Sequence, residues 1–189
     1  MVSCKRFFAC ANLASVTIGD AVTASRDESF MYCFELTSVT IGNSVETIGV
    51  QAFQQCIKLT TLIIGNSLRI IDRQAFHKCY ELETVTIPDL VETIRDNAFE
   101  ECSSLESVTI GKSVQTIKLK AFKDCSSLTT LIIPESVTTI GNNTGNISNL
   151  KITTPVYAGH RRSIYIVSFS LANVCQKSTF RKSDNSYSL

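Results

Sequence analysis

Cysteine and histidine are the residues of this sequence most capable of chemistry, and their positions restrict what that chemistry is. The 189 residues include eight cysteines and two histidines. Six of the cysteines recur every 23 residues, at Cys10, Cys33, Cys56, Cys79, Cys102 and Cys125. We call them the cysteine column. A spacing this regular indicates a repeated structural unit, so packing must be considered before reactivity.

The cysteine column has three possible roles: disulfides, a metal site or packing. Stacked units about 4.8 Å apart satisfy the Cα distance of a disulfide, but side chains at equivalent positions run parallel instead of facing each other. Zinc needs four ligands converging at about 2.3 Å, and a line of sulfurs does not converge. Buried thiols packed as small apolar groups are the favoured interpretation, with disulfides as the open alternative. The state of Cys4 and Cys175 is left unpredicted.

Catalysis has little support in the sequence. His77 lies two residues before Cys79, which raises the alternative of an activated thiol, but its position is held elsewhere by Gln54, Glu100 and Lys123. A surface histidine is therefore favoured. The sequence contains no zinc-protease, nucleophile-elbow, phosphate-loop or dinucleotide motif. A β-helix enzyme acting on polysaccharide is a further alternative that needs carboxylates facing one groove, and no column is predominantly acidic. We predict no enzymatic activity, cofactor or metal.

The same 23-residue period organises the apolar residues. Phenylalanine precedes each column cysteine by three residues, at Phe7, Phe30, Phe53, Phe76, Phe99 and Phe122. Leucine follows each column cysteine by three residues, at Leu13, Leu36, Leu59, Leu82, Leu105 and Leu128. The unit reads AFxxCxxLxxVTIGxSVxTI. Six copies in phase predict that residues 23 apart lie above one another along one hydrophobic axis.

Each unit predicts one turn of a solenoid. Val39 and Ile41 alternate with Ser38 and Thr40, which predicts a short strand with one buried face. A Gly-Asn-Ser turn follows, and residues 51–56 are too few for a free-standing helix, so we predict a helical or 3₁₀-like turn on the opposite side. The predicted fold class is an α/β repeat solenoid. Ser25 replaces the isoleucine of later units, so we expect a loosened amino-terminal end.

The motif AFxxCxxLxxVTI followed by SVxTI resembles the BspA-like, or Treponema pallidum-type, leucine-rich repeats over about residues 5–141. This resemblance implies a right-handed coil with a parallel concave sheet and helical or 3₁₀ turns on the convex side. It also implies a cell-surface or secreted protein that adheres to host or matrix proteins.

The outward strand positions are the best candidate for function, because the parallel strands of such a solenoid line its concave face. They carry small hydroxyl side chains, which also suit any solvent-facing strand. Ile63 and Ile132 fit that structural interpretation least. The candidate binding residues form two columns: Thr61, Thr84, Ser107 and Thr130, with Ser38 in the same column, and Thr40, Ile63, Thr86, Thr109 and Ile132 in the next.

Charge and hydropathy exclude some partners and leave the location open. Eighteen basic and seventeen acidic residues give a formal charge of +1, so no overall field favours nucleic acid. The first residues lack the apolar stretch of a secretory signal, and no run is long enough to cross a bilayer. We therefore predict a protein-binding module without a membrane span. An intracellular scaffold with reduced buried thiols is the alternative.

Three regions are predicted: a solenoid of about six 23-residue repeats over 1–141, a cap-like segment over 142–175 and a disordered tail over 176–189. Strand-like alternation occurs at 151–156 and 163–169, where it would cover the last repeat. The tail is polar and lacks periodicity.

Overall fold

The structure is a computed structural model that describes residues 7–144, 149–152 and 165–166. These residues fold into short parallel strands. In chain order the strands are β1 (Ser15–Ile18), β2 (Ala24–Ser25), β3 (Ser38–Ile41), β4 (Thr47–Ile48), β5 (Thr61–Ile64), β6 (Ile70–Ile71), β7 (Thr84–Thr86), β8 (Thr93–Ile94), β9 (Ser107–Thr109), β10 (Thr116–Ile117), β11 (Thr130–Ile133), β12 (Thr139–Ile140), β13 (Asn149–Ile152) and β14 (Tyr165–Ile166).

Two sets of strands form two sides of a parallel β-solenoid. The odd-numbered strands β1 to β11 begin 23 residues apart, and paired members are in strict register, so that Val16 lies beside Val39 and Val39 beside Leu62. The even-numbered strands form one seven-stranded sheet in the order β14-β12-β10-β8-β6-β4-β2. Each 23-residue unit is therefore one coil of the solenoid, and the six long strands span about five complete turns.

The alternation of residue types in the long strands produces their burial pattern. In β3, Val39 and Ile41 are buried, whereas Ser38 and Thr40 are half-buried on the opposite face. Successive strand side chains point to opposite faces, so the branched apolar residues enter the core and the hydroxyl residues face outward.

The segment opposite the long strands contains β-turns, which corrects the prediction of a helical or 3₁₀ turn. Gln51 and Gln55 have positive φ angles of 56° and 58°, which interrupts any run of helical backbone. The N–H of Phe53 donates to the carbonyl of Ala75 in the next coil at 2.8 Å, whereas a helix would use it internally. Hydrogen bonding between coils therefore uses backbone N–H groups that a helix would need for its own hydrogen bonds. No helix occurs among the residues that the structure describes.

A stack of phenylalanine rings forms the centre of the core and confirms the predicted vertical register. Neighbouring rings from Phe7 to Phe122 have centroids 5.1–5.4 Å apart and planes within 3–10° of parallel. Phe53, Phe76, Phe99 and Phe122 are fully buried. Phe7 is 45% exposed, because no described coil precedes it.

The long-strand side is divided into three sheets, β1-β3-β5, β7-β9 and β11-β13, and proline accounts for the two divisions. Gly42, which follows β3, donates its N–H to the carbonyl of Ile18 at 2.8 Å. Pro88 and Pro134 occupy the equivalent position after β7 and β11, and proline has no N–H to donate. Each of these two strands is unpaired with the long strand of the preceding coil.

Steric crowding at this position also favours glycine where neighbouring long strands pair. A Cβ placed on Gly65 would lie 2.3 Å from the carbonyl oxygen of Gly42, and one on Gly111 would lie 2.2 Å from that of Pro88. Glycine thus allows adjacent coils to approach closely enough to pair.

Beyond the regular coils, β13 pairs with β11, with Asn149 beside Thr130, and β14 pairs with β12. Both sides of the solenoid are thereby extended past residue 144. The cap-like role of residues 142–175 stays a prediction, and residues 176–189 lie outside the described part of the chain.

We expect Gly65→Ala to destabilise the solenoid by about 1–3 kcal/mol, because its methyl group would overlap the backbone of the preceding coil. The matched control is Gly19→Ala in the first coil, where nothing lies within 4 Å of the added carbon. Urea unfolding monitored by circular dichroism measures both. Equal stability of the two variants would contradict the close packing of the coils.

Candidate functional site

The outward positions of the long strands form one continuous surface, which we call the strand face. Side chains at Thr61, Ile63, Thr84, Thr86, Ser107, Thr109 and Ile132 are exposed, and those at Ser38 and Thr40 are half-buried. Strand pairing places Thr40 beside Ile63 and Thr86 beside Thr109. Thr130 belongs to β11, but its side chain lies outside the described part of the structure. The arrangement brings together the residues that the sequence singled out.

Two isoleucines interrupt the hydroxyl surface. Ile63 is 56% exposed and Ile132 is 52% exposed, the two highest values among the exposed large apolar residues that the structure describes. Other coils hold Thr40, Thr86 or Thr109 in the same column, so the solenoid does not require isoleucine there. Because about half of each side chain is already covered, its burial by a partner contributes about half of the 1.5–3 kcal/mol that a fully exposed isoleucine would gain.

The strand face is uncharged between two charged borders. The strands β1 to β11 contain only hydroxyl and apolar residues. Glu83 and Glu106 directly precede β7 and β9, and on the other border Lys112 Nζ lies 2.8 Å from Asp89 Oδ2. The register also aligns Lys151 of β13 with Ile132. Hydroxyl groups both donate and accept hydrogen bonds, so this surface suits polar but uncharged groups.

The cysteine column consists of free thiols whose S–H groups reach the preceding coil. Every column sulfur after Cys10 donates to the carbonyl of the phenylalanine 26 residues earlier. The pairs are Cys33–Phe7, Cys56–Phe30, Cys79–Phe53, Cys102–Phe76 and Cys125–Phe99, at Sγ···O distances of 3.0–3.3 Å. No described column cysteine is oxidised. The column therefore packs the core, as the sequence predicts, and its thiols also add one weak hydrogen bond per coil, which the sequence analysis did not predict.

Burial makes these thiols poor nucleophiles. Desolvation raises the pKa of Cys79 and Cys102 well above its ordinary value, and burial raises the pKa of Cys125 to about 12. The thiolate is the reactive form of cysteine, and at neutral pH it is scarcely populated here.

His77 is buried, which corrects the prediction of a surface histidine. Its side chain is covered from both neighbouring coils, by Gln54 and Glu100 at the equivalent positions, and its exposed fraction is 8%. Gln54 Nε2 lies 3.1 Å from His77 Nδ1, while His77 Nε2 lies 3.5 Å from Glu101 Oε1. Since Cys79 instead donates to Phe53, the alternative of a His77-activated thiol is not supported.

The charged columns form exposed ion pairs between coils. Glu46, Arg69 and Glu92 occupy equivalent positions in consecutive coils, and Arg69 Nη1 lies 3.1 Å from Glu92 Oε1. Both side chains are more than half exposed, so solvent screening reduces the pair to about 0–1 kcal/mol of stability. These charges form a solvated flank.

Two kinds of feature are absent from residues 7–144, 149–152 and 165–166. No group of three or more histidine, cysteine, aspartate or glutamate side chains in these ranges could hold a metal ion. Nor does this part of the chain contain a helix of the length and hydropathy that a bilayer crossing requires.

The repeat pattern matches the model of the BspA type leucine rich repeat region, in six copies over residues 2–103 and 23–151. The chain therefore belongs to this family. No curated protein matched it.

Solved structures with the same fold come from bacteria. A leucine rich cell surface protein from Faecalibacterium prausnitzii A2-165 is 43% identical, with a TM-score of 0.64 over 70% of this chain and 36% of that one. The Treponema pallidum leucine rich repeat protein is 26% identical, with a TM-score of 0.65 over 73% of each chain. The pneumococcal vaccine antigen PcpA is 27% identical, with a TM-score of 0.63 over 77% of this chain and 41% of that one. This chain thus spans a little over a third of the Faecalibacterium protein. None of these three descriptions indicates a catalytic activity.

We expect the free energy of unfolding to fall as pH rises from about 9 towards 12, because burial raises the pKa of the folded thiols above the ordinary value of 9.0. Below pH 9 both states keep the proton, so this contribution is fully present. Above it the unfolded chain releases protons that the folded chain retains, which costs about 1.4 kcal/mol per pH unit for each thiol.

Urea titrations at several pH values between 8 and 11 measure this slope. The control is Cys79→Ala. Its free energy of unfolding should fall less steeply with pH, by the contribution of one thiol, while lysines and tyrosines titrate as before. A slope identical to that of the unmodified chain would contradict a buried, protonated Cys79.

Proposed function

We propose that this protein is a non-enzymatic binding module that holds a protein partner on its strand face, and that it acts in adhesion at a cell surface. The observation that carries the proposal is the exposure of Ile63 and Ile132 on a surface otherwise made of hydroxyl groups. Exposed apolar side chains that the fold does not need are typical of a contact surface.

The relatives support the cellular part of the proposal. The Faecalibacterium protein is called a cell surface protein and PcpA a vaccine antigen, and both share the repeat fold. A host or matrix protein is the partner class that follows from this resemblance. The polar, uncharged strand face gives no basis for binding nucleic acid, which needs lysine and arginine opposite phosphates.

A second candidate function, an intracellular scaffold, is favoured by one observation. The buried column thiols donate S–H bonds to the preceding coil, so the core is built around reduced cysteines, and a reducing compartment maintains thiols in that state. Immunogold labelling of the native cell separates the two candidates. Label on the outer surface supports adhesion, and label confined to the cell interior supports the scaffold.

A competing contact surface lies on the turn side. Phe8 packs edge-on against Tyr32 at 5.5 Å, and Tyr32 contacts Phe34 at 6.0 Å. Phe34 is 40% exposed. Aromatic clusters of this kind also form contacts with other proteins, so the test must distinguish the two surfaces.

The test is binding of the chain to immobilised extracellular matrix proteins, with Ile63 and Ile132 both replaced by threonine. Threonine already occupies this column in other coils, so the double variant should fold normally. We expect its affinity for a bound matrix protein to fall about 10- to 100-fold, because two anchors of about 1.4 kcal/mol or less each are removed. Biolayer interferometry measures the loss.

The matched control replaces Leu90 and Leu119, two exposed leucines outside the strands, by threonine. It should retain binding. If Phe34→Thr abolishes binding and the isoleucine variant retains it, the turn side is the contact surface and the proposed site is wrong. If no matrix protein binds, adhesion to the matrix is wrong.

A further inference from the structure

We infer that the strand face takes an extended, uncharged peptide segment that runs along the solenoid axis and places two apolar side chains, four residues apart, against Ile63 and Ile132. This inference rests on the proposed function, since it names the partner class of the same face.

The spacing of the two anchors is the first step. Ile63 and Ile132 occupy the same column three coils apart. Neighbouring coils are about 4.8 Å apart at the strands, so three steps separate the isoleucines by about 14 Å. An extended chain rises about 3.4 Å per residue, which puts residues i and i+4 about 14 Å apart on one side. A partner in this conformation therefore contacts both anchors at once.

The hydroxyl groups between the anchors decide between an extended segment and a helix. Thr84, Thr86, Ser107 and Thr109 are all exposed in the two intervening coils. An extended segment brings unpaired backbone N–H and C=O groups along its two edges, and Thr84 and Ser107, which lie in the column beside the anchors, can satisfy groups on one edge. A helix has already satisfied its own backbone groups internally, so the hydroxyls would gain nothing from it. The surface matches an extended backbone.

The absence of charge on the strands β7 and β9 decides the composition of the segment. A charged side chain placed over this strip would lose water without gaining an ion pair from the strands beneath it. The carboxylates of Glu83 and Glu106 lie at the border, before the strands begin. A segment centred on the strip is therefore expected to carry small polar or apolar residues.

Selection from a library of random fifteen-residue peptides displayed on phage, against the full chain, tests this inference. The Ile63→Thr/Ile132→Thr variant serves for counter-selection, so only peptides that need the two anchors survive. We expect uncharged sequences with apolar residues four positions apart. Enrichment of charged sequences, or of helical sequences with apolar residues eleven apart, would overturn the inference.

One selected peptide then tests the backbone contacts. Two probes are compared: the synthetic peptide, and the same peptide methylated on the amide nitrogen of residue i+2. The methyl group removes one backbone N–H donor. We expect about tenfold weaker binding of the methylated form, since an unsatisfied hydroxyl remains in the interface. Equal affinity would overturn the extended mode.

Single variants separate failure here from failure of the proposed function. Ile63→Thr and Ile132→Thr should each weaken peptide binding by about tenfold. If only one of them matters, the two-anchor geometry is wrong although the face still binds. If direct selection without counter-selection yields peptides that bind the double variant equally well, the strand face itself is wrong.

Discussion

The structure depends on hydrogen bonding and packing between residues 23 apart, repeated coil after coil. Backbone donors such as Phe53 N–H cross to the next coil, the phenylalanine rings stack at 5.1–5.4 Å, and each buried thiol donates to the coil before it. A single coil cannot bury its own apolar face, so these contacts between coils provide most of the stability. Every other feature of the molecule has to be compatible with this vertical repeat.

The repeat restricts residues unequally, and this inequality makes the strand face a candidate site. Inward positions such as Phe76, Cys79 and Leu82 are fully buried and nearly fixed in type. Outward positions are free to vary as long as they tolerate strand geometry, so Thr40 and Ile63 are structurally interchangeable. Where the fold leaves residue type open, an exposed isoleucine requires an explanation other than stability.

Much of the architecture was predictable, because an uninterrupted 23-residue period determines which residues lie above one another. The strand positions, the phenylalanine stack and the family follow from it. The turn segment was not predicted correctly: a short run such as residues 51–56 has no periodicity that distinguishes a helical turn from consecutive β-turns. Only the positive φ of Gln51 and Gln55 settles the matter. Pro88 and Pro134 did carry a readable signal for the division of the sheet, since neither can donate a backbone hydrogen bond.

Side-chain environments were harder to predict than the backbone. The column that His77 shares with Gln54, Glu100 and Lys123 predicts a surface position, yet the stacking of the coils buries Gln54, His77 and Glu100. The S–H bonds of the thiols depend on distances that no spacing rule supplies. The strand-face residues were found from the sequence, since alternation alone separates outward from inward positions. The partner of the strand face could not be predicted from the sequence, because hydroxyl side chains are also ordinary residues of an exposed strand.

The most direct measurement of the central claim is a set of ring-to-ring nuclear Overhauser effects in a sample labelled at phenylalanine. The vertical register predicts contacts between the rings of Phe53 and Phe76 and between those of Phe76 and Phe99, with centroids 5.4 and 5.2 Å apart. It predicts no contact between Phe53 and Phe99. Rings that lack the neighbouring contacts, or that show contacts skipping a coil, would contradict the stacked solenoid and the strand face built on it.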